Sequence, residues 1–180
     1  MSQSSQLSDE VVYHGSRVSM ALRKVRLASG KEIQREVVLH PGAVIILPVL
    51  SDGRIVLINN VRHTVGESLL ELPAGTLEKG EDPAHCAQRE LEEETGYRAA
   101  QIRPLGWFYT SPGILTEKMY AFVATDLTPG PQALEENETI SVKPMTVRDA
   151  VERIKSNQIV DGKTIAVILK YVTGLDTARQ

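Results

Sequence analysis

The stretch GTLEKGEDPAHCAQRELEEETGY, residues 75–97, decides the fold, and the rest of the chain is read outward from it. Asp82 is a good helix N-cap because its carboxylate accepts from the first free backbone N–H groups, and Pro83 suits the first helical position, where no N–H is needed. Gly96 stands where a left-handed residue ends a helix without a Cβ clash. A helix is therefore predicted from Pro83 to Thr95. Ala84, Ala87 and Leu91 recur at spacings of three and four and give it a small apolar stripe toward the core.

The same helix is electrostatically poor. Its last turns carry Glu90, Glu92, Glu93 and Glu94 against one nearby cation, Arg89. Glu90, Glu93 and Glu94 share a face, where like charges repel by about a few tenths of a kcal/mol per pair. A helix C-terminus is itself partly negative, so each acid there costs about 0.3 to 1 kcal/mol. A solvated acidic face is the plain alternative for such a run. Three carboxylates on one ridge instead make an oxygen-rich site for a hard cation, and magnesium, which combines a few carboxylates with water and substrate phosphate, suits it.

The spacing is that of a known signature, Gly-x5-Glu-x7-Arg-Glu-U-x-Glu-Glu-x-Gly-U, with U a bulky aliphatic residue. Gly75, Glu81, Arg89, Glu90, Leu91, Glu93, Glu94 and Gly96 occupy its fixed positions, and Tyr97 alone departs. On these residues the chain resembles the Nudix hydrolases. The resemblance implies an α/β/α sandwich around a mixed sheet, with an additional N-terminal antiparallel sheet. It also implies Mg2+ as cofactor, with Mn2+ as a substitute. Glu90 and Glu94 would be the principal metal ligands, joined by the backbone carbonyl of Ala74. Glu93 would be a further ligand or hold metal-bound water, Arg89 would orient a carboxylate, and Glu81 would assist from the loop.

Residues outside the signature narrow the branch. Glu71-Leu72-Pro73-Ala74-Gly75 looks like the segment leading into the box in ADP-ribose and nucleotide-sugar pyrophosphatases. Pro112 lies sixteen residues past Gly96, the offset of a proline that marks the ADP-ribose branch. Residues 135–140, EENETI, resemble that branch's catalytic loop, which would make Glu136 the residue that positions or deprotonates the attacking water and Glu138 a metal contact. Arg62 matches an arginine near the substrate phosphates, where a planar guanidinium suits a diphosphate. Glu117 would contact the terminal sugar. The branch is dimeric, with an N-terminal sheet lending residues to the neighbouring site; Arg35, toward phosphate, and Tyr13, stacking on the base, are the candidates here. The implied reaction is hydrolysis of ADP-ribose to AMP and ribose 5-phosphate. The alternatives are a broader nucleoside diphosphate sugar diphosphatase, taking ADP-glucose, UDP-glucose or GDP-mannose, and a non-catalytic nucleotide sensor on the same scaffold.

The remaining sequence sets bounds. At 180 residues, with 42% hydrophobic and 24% charged residues, the chain is sized for one ordinary globular domain. We expect an unstructured stretch over residues 1–10, N-terminal dimerisation strands over residues 11–40 and a hydrolase domain over residues 41–180. Strand-like runs occupy residues 11–27 and 33–39. Residues 43–50 and 54–59 read as a hairpin joined through Ser51-Asp52-Gly53. Gly75 is expected in a loop, further strands over 105–110, 119–127 and 142–145, and helices over 147–156 and 164–173. Val147, Ala150, Val151 and Ile154 stand at helical spacing. A net charge of -3 without a Lys/Arg cluster argues against nucleic-acid binding. The longest apolar run, residues 43–50, is too short for a membrane span. Residues 1–10 lack the basic start and apolar stretch of a secretory leader, so a cytoplasmic location is expected. Cys86 is the single cysteine and reads as a small helix residue. His14, His40, His63 and His85 share no ligand spacing and read as structural or exposed.

Overall fold

Strand β4 (Ala43–Pro48) is AVIILP with every residue buried, a run that needs cover on both faces. In the computed structural model, which describes residues 4–136 and 138–174, β4 lies inside a mixed sheet of order β7-β4-β9-β8. It runs antiparallel to β7 (Ala74–Thr76) and parallel to β9 (Lys118–Pro129), with β8 (Tyr97–Tyr109) at the edge. Period-2 alternation sends Val44 and Ile46 to one face, where they meet Cys86, Ala87 and Leu91 of α1 (Pro83–Thr95). Ile45 and Leu47 face the other way, toward Leu57 of β5 (Ile55–Arg62), Ala150 of α2 (Val147–Lys155) and Val167 and Ile168 of α3 (Gly162–Val172). Helices thus cover the mixed sheet from both sides, the α/β/α arrangement predicted.

The residues 43–59 do not form the hairpin the sequence predicts. The chain does turn there, with Gly53 at φ 83° and Leu50 N–H donating to Arg54 O at 2.8 Å. Only the bridge between Val49 and Ile55 joins the two runs. Strand β5 instead pairs on one edge with β6 (Glu67–Glu71) and on the other with β10 (Ile140–Met145), so no free edge is left for β4. Gly75, expected in a loop, lies within β7.

The chain divides into two compact units, residues 1–42 with 109–118, and residues 43–108 with 119–180. Residues 109–118, expected in the hydrolase domain, thus belong with the N-terminal unit. That unit is built on the antiparallel sheet β1 (Ser5–His14), β2 (Ser19–Arg26) and β3 (Glu32–Leu39). The run 11–27, read as continuous, is broken into two strands by a turn in which Gly15 N–H donates to Val18 O at 2.9 Å. Residues 5–10, expected to be unstructured, belong to β1 because β2 supplies backbone partners from Ser5 to His14, and Arg23 neutralises Asp9 through bonds of 2.8 and 2.9 Å. Met1, Ser2 and Gln3 lie outside the described residues. The loop after β8 adds to the edge of β3, with Val38 N–H donating to Ile114 O and Thr116 N–H to Val38 O.

Candidate functional site

The helix α1 starts and stops as its sequence dictates. Asp82 accepts from the N–H groups of Ala84 and His85, Pro83 opens the helix, and Gly96 ends it at φ 74° with its N–H on Glu92 O. The predicted apolar stripe is shifted: Ala84 is exposed, and Cys86 joins Ala87 and Leu91 in the core. Burial pushes the Cys86 thiol up to about 12, so it stays protonated. The acidic end has more compensation than the sequence suggests. Arg98 pairs with Glu92 at 2.8 and 2.9 Å, drawing that acid to the exposed side. The terminal carbonyls are met from a distant segment, where Ala133 N–H donates to Glu93 O at 3.0 Å and Gln132 Nε2 to Glu94 O at 2.6 Å. Gln132 and Ala133 carry no spacing signal and escaped the sequence reading.

The box acids face two different supports. Glu94 is 3% exposed, and its Oε2 accepts from Ala74 N–H at 2.9 Å. Burial pushes its carboxyl up to about 8; the Ala74 bond opposes this, and the nearby charges of Glu90 and Glu138 add to it. Glu90 lies directly against Gly75, where a Cβ would fall 1.9 Å from its carboxyl carbon. Burial also raises the Glu90 carboxyl above the usual range, against the pull of Arg89 and with the push of Glu93 and Glu138. Glu138 reaches this group from its loop, its own carboxylate accepting from Glu135 N–H at 3.0 Å. Glu136 is exposed beside it. Among the described residues, no three His, Cys, Asp or Glu side chains are already drawn together in metal-ligating geometry.

Arg89 organises the other acids. Its Nε and Nη2 donate to the two oxygens of Glu81 at 3.1 and 3.2 Å, while Nη1 donates to Glu90 at 2.8 Å and Glu93 at 3.0 Å. Those bonds hold the Glu81 carboxyl down at about 2. Glu81 also accepts from Glu78 N–H at 2.9 Å, which closes the loop ahead of α1.

Arg62, expected near phosphate, is bound to a carboxylate that the sequence did not single out as a site residue. Its Nε and Nη2 contact Glu71 at 2.5 to 3.1 Å, and Glu71 is 1% exposed. Lys163 Nζ joins Glu71 at 3.1 Å and Asp161 at 2.8 Å. Asp161 is recognisable in sequence as the N-cap of α3, but nothing in sequence ties Lys163 to Glu71.

In the N-terminal unit, Glu117 accepts from Thr110 Oγ1 at 2.5 Å and lies 3.4 Å from His40 Nε2. His40 Nδ1 accepts from Gly42 N–H at 3.1 Å, which leaves the ring proton on Nε2, facing Glu117. Pro112 is exposed in the turn closed by Ile114 and Leu115 N–H on Ser111 O. Tyr13, 61% exposed on β1, sits opposite Met20, and Arg35 is exposed on β3 opposite Arg23.

Residues 39–166 match the family model described as NUDIX domain. An ADP-ribose pyrophosphatase of Bacillus subtilis is 38% identical over 92% of this chain and 90% of its own length. A methanol dehydrogenase activator of Bacillus methanolicus is 38% identical over 90% and 89%, and a GDP-mannose pyrophosphatase of Yersinia pestis is 36% identical over 72% and 69%. Among solved structures, one titled as an ADP compounds hydrolase superposes with a TM-score of 0.84 at 21% identity, over 97% of this chain and 95% of its own. With the signature carried on α1 and the matched segment spanning both faces of the mixed sheet, the chain belongs to the NUDIX domain family.

Proposed function

We propose that this chain hydrolyses the diphosphate of ADP-ribose, giving AMP and ribose 5-phosphate, with Mg2+ as its metal and Mn2+ as a substitute. The observation that carries the reading is the seating of two box carboxylates on one short segment, Glu90 against Gly75 and Glu94 on Ala74 N–H. These donors suit magnesium. They are hard carboxylate oxygens, and the carboxyls of Glu90 and Glu94 are raised by burial and by one another's neighbours, a strain that a dication relieves. Glu90, Glu94, Glu93, Glu138 and the Ala74 carbonyl would hold it. When bound, the metal neutralises the diphosphate and makes bound water more acidic.

The chain's own groups do the rest. Arg89 fixes Glu90 and Glu93 from one side and is itself held by Glu81, so the acids keep their aim as the substrate enters. Arg62 offers a guanidinium to phosphate. Glu136, exposed on its loop, takes the proton of the attacking water. In the N-terminal unit, Glu117 meets the terminal sugar, while Arg35 and Tyr13 serve the site of a partner subunit in a homodimer. The exposed apolar residues of β1, Val11, Val12 and Tyr13, are in keeping with such pairing. A cytoplasmic location belongs to the same reading; no helix among the described residues is long and apolar enough to cross a membrane.

The names of the relatives support both ADP-ribose and a broader nucleoside diphosphate sugar specificity, since one acts on GDP-mannose. The deciding experiment compares ADP-ribose, ADP-glucose, UDP-glucose and GDP-mannose with magnesium and with chelator. ADP-ribose is expected to lead in kcat/KM, with no turnover in chelator; a place among the poorest substrates would overturn the choice. A non-catalytic sensor would show no turnover of any of them, an outcome that the retention of all box acids argues against.

A further inference from the structure

Glu71 is 1% exposed and carries two cations, Arg62 from its neighbouring strand and Lys163 from the start of α3. A buried carboxylate needs one cation for neutrality, and an ion pair taken out of water gains little stability over an apolar replacement. Lys163 is shared with Asp161, so the cluster is balanced in charge, and its arrangement calls for a reason other than neutrality. The geometry of Arg62 supplies it. Its Nε and Nη2 edge is spent on Glu71, its Nη1 makes no hydrogen bond among the described residues, and its side chain is still 35% exposed. The guanidinium is thus locked on one edge and open on the other. The Arg62 charge as a whole lies within electrostatic reach of the box acid Glu94. Glu71 is also tied into the neighbourhood of Glu94 by its chain, since Leu72 N–H donates to Thr164 Oγ1 at 2.9 Å and Ala74 N–H holds Glu94.

We propose that Glu71 is a positioning residue that aims Arg62 at a phosphate of the nucleoside diphosphate, and that Lys163, itself held by Asp161, fixes the Glu71 carboxylate in that pose. The inference rests on the reading of the chain as a nucleoside diphosphate hydrolase. Without Lys163 the Glu71 carboxylate would be held by Arg62 alone and could turn with it, and the open edge of the arginine would lose its aim. Asp161 holds Lys163 at 2.8 Å and is itself occupied as the α3 N-cap, accepting from Thr164 N–H at 3.0 Å. The four groups Arg62, Glu71, Lys163 and Asp161 therefore work as one clamp spanning β5, β6 and α3.

The test uses Lys163→Met, Lys163→Arg and Glu71→Gln in the full chain, with kinetics on the best substrate of the panel and calorimetric titration of ADP in chelator. Loss of a charge-assisted contact is worth about ten- to a hundredfold in affinity. Lys163→Met is expected to raise KM and weaken ADP binding by about tenfold with kcat changed less than about threefold, and Lys163→Arg to restore both. Glu71→Gln should weaken ADP binding further; should it fail to fold, the Lys163 pair carries the test alone. Unchanged KM and ADP affinity in folded Lys163→Met would overturn the proposal and leave the cluster as scaffold. If the wild-type chain turned over none of the substrates, the functional reading itself would fall, a result separable from the first because ADP binding is measured without turnover.

Discussion

Glu90 fills the space that a side chain on Gly75 would need: its carboxyl carbon lies 1.9 Å from where a Cβ on residue 75 would be. The glycine heading the signature is thus required by close approach, and the backbone of β7 forms one wall of the acid's seat. Gly75→Ala must push Glu90 aside. With misplacements of about 1 Å costing about a hundredfold in rate, kcat should fall by about that factor while the far-ultraviolet circular dichroism stays native. Wild-type turnover in this variant would sink the assignment of Glu90.

Glu94→Gln should abolish turnover in a folded chain and change how stability depends on pH. In the metal-free chain the Glu94 carboxyl is raised from its ordinary value to about 8. Its stability contribution is therefore full below about pH 4.5 and is lost as pH rises through about 8. Melting temperatures in chelator should fall across that window in the wild type, fall less in Glu94→Gln, and recover in the wild type on adding magnesium.

Arg89→Lys keeps the charge but cannot serve Glu81, Glu90 and Glu93 together, because an ammonium lacks the planar fork. Urea denaturation should show a loss of about 1 to 3 kcal/mol, and kcat should drop. Glu81, held at about 2 in the fold, contributes stability above about pH 4.5 that is lost as pH falls through about 2. Glu81→Gln should flatten the acid limb of the stability curve, and an unchanged limb would contradict the Arg89 to Glu81 pairing.

Gln132 and Ala133 bind the end of α1 to the segment leading to Glu136 and Glu138, and Gly96 lies close against Gly130 of that segment. At Gly96 φ is 74°, and a Cβ would meet Gly130 O at 2.3 Å, so Gly96→Ala suffers both strain and collision. A loss of about 1 to 3 kcal/mol is expected, read from the melting curve. Gln132→Ala removes the cap on Glu94 O. It should lower kcat more than stability by loosening the loop acids; a purely thermal effect would argue against that coupling.

Val12, 51% exposed on β1, tests the homodimer. The wild-type chain should sediment as a dimer and Val12→Lys should shift it toward monomer with loss of activity. A monomeric wild type with full activity would remove the roles given to Arg35 and Tyr13.

The legible part of this protein is the part written in short-range spacing. The α1 cap at Asp82, its stop at Gly96 and the acids at Glu90, Glu93 and Glu94 are fixed within one helix, where the backbone repeat alone puts residues three and four apart on one face. The stripe over Val147, Ala150, Val151 and Ile154 was readable for the same reason, and all four pack into the core.

What tertiary structure decided has no such repeat. The turn at Gly53 gave a local signal for a hairpin, yet β4 and β5 went to different sheets because each found better-matched partners far along the chain. The burial of Glu94 on Ala74 N–H spans 20 residues and the capture of Lys163 by Glu71 spans 92. The sequence alone determined that residues 75–97 would present a ridge of acids at a helix end. Only packing decided which of them would be buried, which would be shared with Arg89, and that Arg62 would be aimed by Glu71, because desolvation and ion pairing depend on which elements the core brings together.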